Sequence, residues 1–263
     1  VHIPTVHTEE DVWNCEMKIN AALLELKRQG GGPVHINLVT QLSRSYLQQE
    51  LPSVRMIERM NQDSIFPPMP KGKIAVYVGA HKCWSKALVE AVDTFCESYN
   101  GVVLCDHTSN YFGKYGVFAS LPASQDQWRF SCCLIDLMIH IGDVSGTSWR
   151  LFPKEVWRVN PDGEIRDTFH KLRYVYEMEE ITFFQKYNEL SKEKRGISYY
   201  AKWAETNRKI TRRIPELPFS NVWIAQNTIQ KLPSDCVLYI GILNSLRSWN
   251  FFNTRGKVRG YSN

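Results

Sequence analysis

Apolar residues recur at helical spacing soon after the start of the chain, at Val12, Cys15, Ile19, Ala22, Leu23 and Leu26. Thr8-Glu9-Glu10-Asp11 stands before them as a capping box with Asp in place of the usual Glu, and Gly30-Gly31-Gly32 stops the helix. Residues 33–38 then read as a short strand. Residues 41–72 turn polar and then proline-rich, at Pro67, Pro68 and Pro70, which predicts a semi-rigid linker. The pattern changes at 74–78, Ile-Ala-Val-Tyr-Val, a continuous apolar run closing on Gly79. Such a run marks a strand covered on both faces of a parallel sheet. Ser85 is placed to cap a helix whose Leu88, Val89, Val92, Phe95 and Cys96 share a face. Further strands are predicted at 102–105, 134–141, 156–159 and 172–175, and a helix over 179–190.

Five strands alternating with helices or long connections predict an α/β class: a Rossmann-like, doubly wound parallel sheet. A basic amphipathic helix over 196–213 follows, and Pro215 and Pro218 break the chain. A helix at 221–231, a strand at 236–240 and a helix at 244–252 close it. The organisation is asymmetric. A lone helix-strand fragment (1–40) precedes a linker (41–72) and a full α/β domain (73–195); a linker helix (196–218) and a second lone fragment (219–263) come after. One such fragment cannot bury its own faces, so each is expected to be part of a neighbouring domain.

Composition narrows the function classes. The 263 residues are 43% hydrophobic and 22% charged, with a formal charge of +5, which is ordinary for a globular protein. The densest basic stretch, Arg208-Lys209 with Arg212-Arg213, reads as a solvated helix face, and no basic stripe interleaved with aromatics suggests nucleic acid. No apolar run approaches the roughly 20 residues of a membrane span. There is no signal-peptide pattern, and the first residue is Val1, so the natural start is expected upstream. The seven cysteines form no C-x-x-C pair and several sit in apolar runs. They read as reduced, buried thiols of a cytoplasmic protein, without a zinc site.

Certain words in this pattern resemble the thiamine-diphosphate-dependent enzyme superfamily. G-G-G-P-V-H-I-N-L at 30–38 is similar to the last helix-strand of its pyrimidine-binding domain. K-G-K-I-A-V-Y-V-G-A at 71–80 and L-I-D-L-M-I-H-I-G-D at 134–143 are similar to two strands of its central domain. V-L-Y-I-G-I-L-N-S-L-R-S-W-N-F-F and the closing G-Y-S-N are similar to the opening of its diphosphate-binding domain. Within the superfamily the nearest resemblance is to the menaquinone-pathway synthases, which join a 2-oxoglutarate-derived succinyl unit to isochorismate; their N-S-L matches Asn244-Ser245-Leu246 and their Y-S-N matches Tyr261-Ser262-Asn263.

The resemblance implies a decarboxylase or carboligase acting on a 2-oxo acid with thiamine diphosphate and Mg²⁺, in a homo-oligomer. It places the activating glutamate before Val1, and the G-D-G…N magnesium segment is not found; Asn160-Pro161-Asp162-Gly163 reads as a turn. This chain by itself is therefore expected to hold no cofactor and to be inactive. A basic pair of that family falls here on Ser148 and Trp149, with Arg150 beside them, and an arginine of the family falls on Trp249, with Arg247 displaced. Arginine forks bind carboxylates in pairs of hydrogen bonds, so the departures imply a paralogue with a different acceptor. Ser245, Arg247 and Arg150 are the candidate substrate-binding residues.

Two residues are candidates from position alone. His81 and Asp143 follow predicted strands at the carboxyl edge of the sheet, where open α/β sheets bind ligands. His35 reads as a structural histidine. Two other functions compete: a central module binding a nucleotide or regulatory ligand at that crevice, and a structural spacer.

Overall fold

The computed structural model describes residues 1–40, 53–143, 145, 150–254 and 256–262. In chain order its principal elements are β1 (His2–Ile3), α1 (Glu9–Glu25), β2 (Asn37–Leu38), β3 (Glu58–Met60), β4 (Ile74–Val78), α2 (Lys86–Tyr99), β5 (Gly101–Cys105), β6 (Gly116–Phe118), α3 (Ser120–Ala123), β7 (Leu134–Ile141), β8 (Phe152–Val159), β9 (Leu172–Tyr176), α4 (Glu180–Leu190), α5 (Ser198–Thr211), α6 (Asn221–Thr228), β10 (Val237–Ile240), α7 (Asn244–Trp249) and β11 (Arg259–Ser262).

Seven strands form one sheet in the order β3-β9-β8-β7-β4-β5-β6, every pairing parallel. This is the expected doubly wound α/β architecture. All five residues of β4 are buried, as its continuous apolar run requires. One face of the sheet packs Val76, Ile139 and Trp157 against Phe95 of α2 and Phe183, Phe184 and Tyr187 of α4. The other packs Ala75, Met138 and Val156 against Tyr199 and Trp203 of α5.

The two faces explain where the sequence pattern and the structure part. The stretch expected as a linker, 41–72, contributes β3, paired with β9 at the sheet edge through Glu58↔Tyr174. Its Glu-Arg-Met carries no apolar run because an edge strand is half solvated, and Glu58 instead meets Arg173 at 2.6 Å. The segment expected as a linker helix, 196–218, holds α5, which covers the second face of the sheet. A sheet buried on both faces needs helices on both. Trp203 is fully buried there, and Tyr199 donates its hydroxyl to the Cys132 carbonyl at 2.7 Å. Trp203→Ala is accordingly expected to cost about 3–5 kcal/mol, as for other buried large-to-small changes. Urea unfolding of the two proteins reads this directly; a loss under 1 kcal/mol would return α5 to the role of a spacer.

The Thr8 capping box forms as expected, with Thr8 and Asp11 bonded reciprocally. Ser85 caps α2 through the Leu88 N–H at 3.1 Å. Helix α1 is held to the sheet edge by Asn20, whose side chain accepts from Ile57 N–H at 2.8 Å and donates to the Arg55 carbonyl at 3.0 Å. Trp13 stacks on His170 with ring centroids 4.1 Å apart.

The strand expected over 33–38 is shorter: only Asn37–Leu38 pair, in parallel, with β1. At the other end β10 and β11 form a four-residue parallel pair joined through α7, with α6 packed beside it. Both two-stranded units leave apolar side chains in solvent, including Leu38, Val39, Val237 and Tyr239. All seven cysteines are free. Among the described residues no helix is long and apolar enough to cross a membrane.

Candidate functional site

Strand β4 has β5 on one side and β7 on the other, so the chain leaves β4 toward one half of the sheet and later returns to build the second half. The loops after β4 and β7 therefore meet at the switch point of the topology. Here they are bonded to each other. Ala80 and Asp143 exchange both backbone hydrogen bonds, at 3.0 and 2.7 Å. The approach depends on glycine: a β-carbon on Gly79 would lie 1.5 Å from the Asp143 carbonyl oxygen, and Gly142 sits at φ +72.

His81 and Asp143 do meet at this edge. The His81 ring lies 2.8 Å from a Glu180 carboxylate oxygen through Nε2 and 2.8 Å from the Lys82 carbonyl through Nδ1, beside the Trp84 ring. Glu180, in the first turn of α4, also accepts from the Gly142 N–H at 3.3 Å, so one carboxylate links both loops. The Asp143 carboxylate faces outward and pairs with Arg166 at 2.8 Å.

Burial alone would lower the His81 pKa, but the bond to Glu180 and its charge outweigh this and leave it raised above 6.5. A raised folded pKa gives stability that is fully present below the unfolded value and is lost as pH rises through the folded one. The free-energy difference between the protein and its His81→Gln variant is thus expected to shrink by about 1 kcal/mol from pH 6 upward through that value. Denaturant unfolding at several pH values checks it, and a constant difference would contradict the charged pair.

The centre of the edge is a loop that the sequence pattern did not single out, 106–110. Asp106 is buried and its carboxylate accepts from Thr108 N–H at 2.7 Å, from the Thr108 hydroxyl at 2.6 Å and from the Ser145 hydroxyl. The Ser109 hydroxyl donates to the Val78 carbonyl at 2.7 Å. The signal was present: five consecutive polar residues directly after a buried strand. They lie at the carboxyl edge of the sheet, where a polar run has the same composition as an ordinary connection.

This loop fastens the C-terminal unit to the sheet. His107 Nε2–H is shared between the carbonyls of Trp249 and Phe252, both at 3.0 Å, and its backbone N–H donates to Asn250 at 3.0 Å. Burial holds the His107 pKa down, so it serves as a neutral donor. Asn110 pairs with the Gly260 backbone in both directions, at 2.9 and 3.1 Å, and donates to the His81 carbonyl at 2.8 Å. Cys83 lies 3.5 Å from the Tyr261 hydroxyl across the same seam. A cavity of about 210 Å³ runs along it, lined among others by Asp106, His107, Asn110, Asn253 and Thr254.

The remaining candidates are spread out. Ser245 is exposed at the start of α7 and Arg247 is exposed on the same helix. Arg150 is at the opposite edge of the sheet: its N–H donates to Ala123, and its guanidinium pairs with Asp126 at 3.1 Å. It is not brought near His81 or Asp143, because it precedes β8, and the parallel strands put that edge a strand's length from the crevice. Ser148 and Trp149 lie outside the described residues.

Asn160–Gly163 forms the expected turn, closed by Gly163 N–H on the Asn160 carbonyl at 3.0 Å. Among the described residues no group of three His, Cys, Asp or Glu side chains could hold a metal ion.

No family model matches the chain. It is 29% identical over 271 residues to the 2-succinyl-5-enolpyruvyl-6-hydroxy-3-cyclohexene-1-carboxylate synthase of Bacteroides fragilis, an alignment covering 94% of this chain and 47% of that protein. The synthases of the same name from Phocaeicola vulgatus and Bacteroides thetaiotaomicron are 26% and 27% identical, over 98% and 94% of the chain. The chain spans about half the length of these curated relatives. The resemblance read from its motifs is borne out: it is a relative of these synthases along nearly all of its length.

Proposed function

From that kinship as premise, we propose that the chain is the central portion of a thiamine-diphosphate-dependent 2-oxo acid decarboxylase or carboligase. In this reading 1–40 and 219–263 are parts of the pyrimidine-binding and diphosphate-binding domains. Their two-stranded parallel pairs with solvated apolar faces support it, since such units need further strands to cover them. The observation that carries the reading is the seam: the C-terminal unit is fixed to the central sheet by His107 and Asn110, through main-chain atoms of residues 249–260. In this reading the seam is where the diphosphate-binding domain begins.

The central sheet here orients its neighbours and does no covalent chemistry. The alternative of a nucleotide-binding module has less support. The Ala80–Asp143 bridge fills the gap in which a ligand would sit at the switch point. Trp249 gives its carbonyl to His107, and with Ser148 and Trp149 it replaces basic residues expected for an isochorismate-type acceptor. The acceptor is therefore expected to carry fewer carboxylates.

The test is carbon dioxide release from 2-oxoglutarate and other 2-oxo acids by the longest natural protein containing this chain, with thiamine diphosphate and Mg²⁺, followed by product analysis with and without isochorismate. Thiamine-diphosphate-dependent release by that protein, and none by residues 1–263 alone, is the expected result. A longer protein that releases none from any 2-oxo acid, with the cofactor bound, overturns it.

A further inference from the structure

Strands β7 and β8 pair with His140 opposite Arg158 at their carboxyl ends. Alternation sends both side chains to the face shared by Met138 and Val156, under the rings of Tyr77 and Phe169, whose centroids lie 5.0 and 6.1 Å from the His140 ring. Arg158 is 0% exposed and His140 1%. Among the described residues none offers a hydrogen-bond partner to the three Arg158 nitrogens or to either ring nitrogen of His140.

A buried guanidinium left unpaired is one of the most costly arrangements in a protein, and it is normally compensated by an anion. The carboxylates whose charge reaches Arg158, those of Asp162, Asp143 and Glu180, are bonded elsewhere: Asp143 and Asp162 to Arg166, Glu180 to His81. Arg166 adds a second positive charge to the same region. The connecting sequence Val144-Ser145-Gly146-Thr147-Ser148-Trp149 contains no acidic residue. Burial, followed by the charges of Arg158 and Arg166, holds the His140 ring neutral, which leaves it one N–H to donate.

We propose that Arg158 and His140 form a buried site for one small oxyanion, a carboxylate or a phosphate, held by the planar Arg158 fork and by one His140 N–H. The site uses neither His107 and Asn110 of the seam nor the backbone bonds of the Ala80–Asp143 bridge. Its occupant is a single small anionic group, because Arg158 and His140 are both closed off from solvent. Arginine suits this role because its fork matches both oxygens of such a group.

The test uses the longest natural protein containing the chain, melted in chloride at constant ionic strength with millimolar acetate or inorganic phosphate added. A ligand that binds only the folded state raises the melting temperature with saturation, by roughly 5 °C or more at a hundred times its Kd. The anion that does so identifies the source. Arg158→Met should abolish the response while leaving the melting temperature in chloride unchanged or higher, since an apolar side chain relieves an unpaired buried charge. His140→Gln should weaken binding about tenfold, one hydrogen bond's worth. Should Arg158→Met not fold, equilibrium dialysis of the unaltered protein with labelled phosphate and labelled acetate decides: one bound anion per chain supports the site, and none overturns it. A melting temperature indifferent to both anions, or a response that survives in Arg158→Met, also overturns it.

Discussion

Gly79→Ala is expected to cost about 4 kcal/mol or more, a large share of the roughly 5–15 kcal/mol that holds a folded domain together. A β-carbon there would lie 1.5 Å from a carbonyl oxygen that is itself bonded to Ala80. The clash is with backbone on both sides, so no side-chain rotation relieves it. Separating the two loops would break both bonds of the Ala80–Asp143 bridge and pull Gly142 from the Glu180 carboxylate. Losses above 4 kcal/mol are rare for single substitutions and mark a geometric conflict of this kind. Guanidinium titration of purified protein, or soluble yield if none can be purified, supplies the measurement. A stable, cooperatively folding Gly79→Ala protein would mean that the loops do not touch.

Gly260→Ala is expected to act on catalysis more than on the central sheet. Its β-carbon would meet the His107 carbonyl oxygen at 2.1 Å. That would displace β11 from Asn110 and loosen the carbonyls of Trp249 and Phe252 from His107. If the seam positions the diphosphate-binding part, a shift of about 1 Å is expected to lower the turnover of the longer enzyme about 100-fold. The unfolding midpoint of the central domain should hardly move, because the sheet and both of its cores lie on the other side of the 106–110 loop. Turnover and unfolding measured on the same preparation separate these effects. Unchanged turnover would remove the seam from the enzyme's positioning machinery.

The elements that sequence patterning found are those whose pattern is set by burial on both faces. Strands 74–78 and 134–141 match β4 and β7 residue for residue, because 74–78 is wholly apolar and 134–141 is apolar at all but Asp136 and His140. Edge strands escape this logic. Glu58–Met60 and Gly116–Phe118 each have one neighbour and a solvated side, so neither composition nor period distinguishes them from connecting chain. Residues 33–38 show the reverse error. Their apolar run suits a strand with partners on both sides, and here β2 has only β1 beside it.

Of the candidate site residues, His81 and Asp143 were placed together by the rule that parallel strands carry their ligands at one edge. The same rule, applied to Arg150, would have set it apart, since it precedes its strand. Asp106 to Asn110 were legible only as a polar run. Their bonds to residues more than 140 positions away have no counterpart in local spacing.

The fused loops at the middle of the sheet also constrain what can be engineered into this fold. With neither Gly79 nor Gly142 able to accept a larger side chain, altering residues one at a time cannot hollow out a cofactor groove between them. Insertion is the practical route: two or three residues after Val78 or Ile141 would part the strand ends, and the ladder beneath them could remain whole.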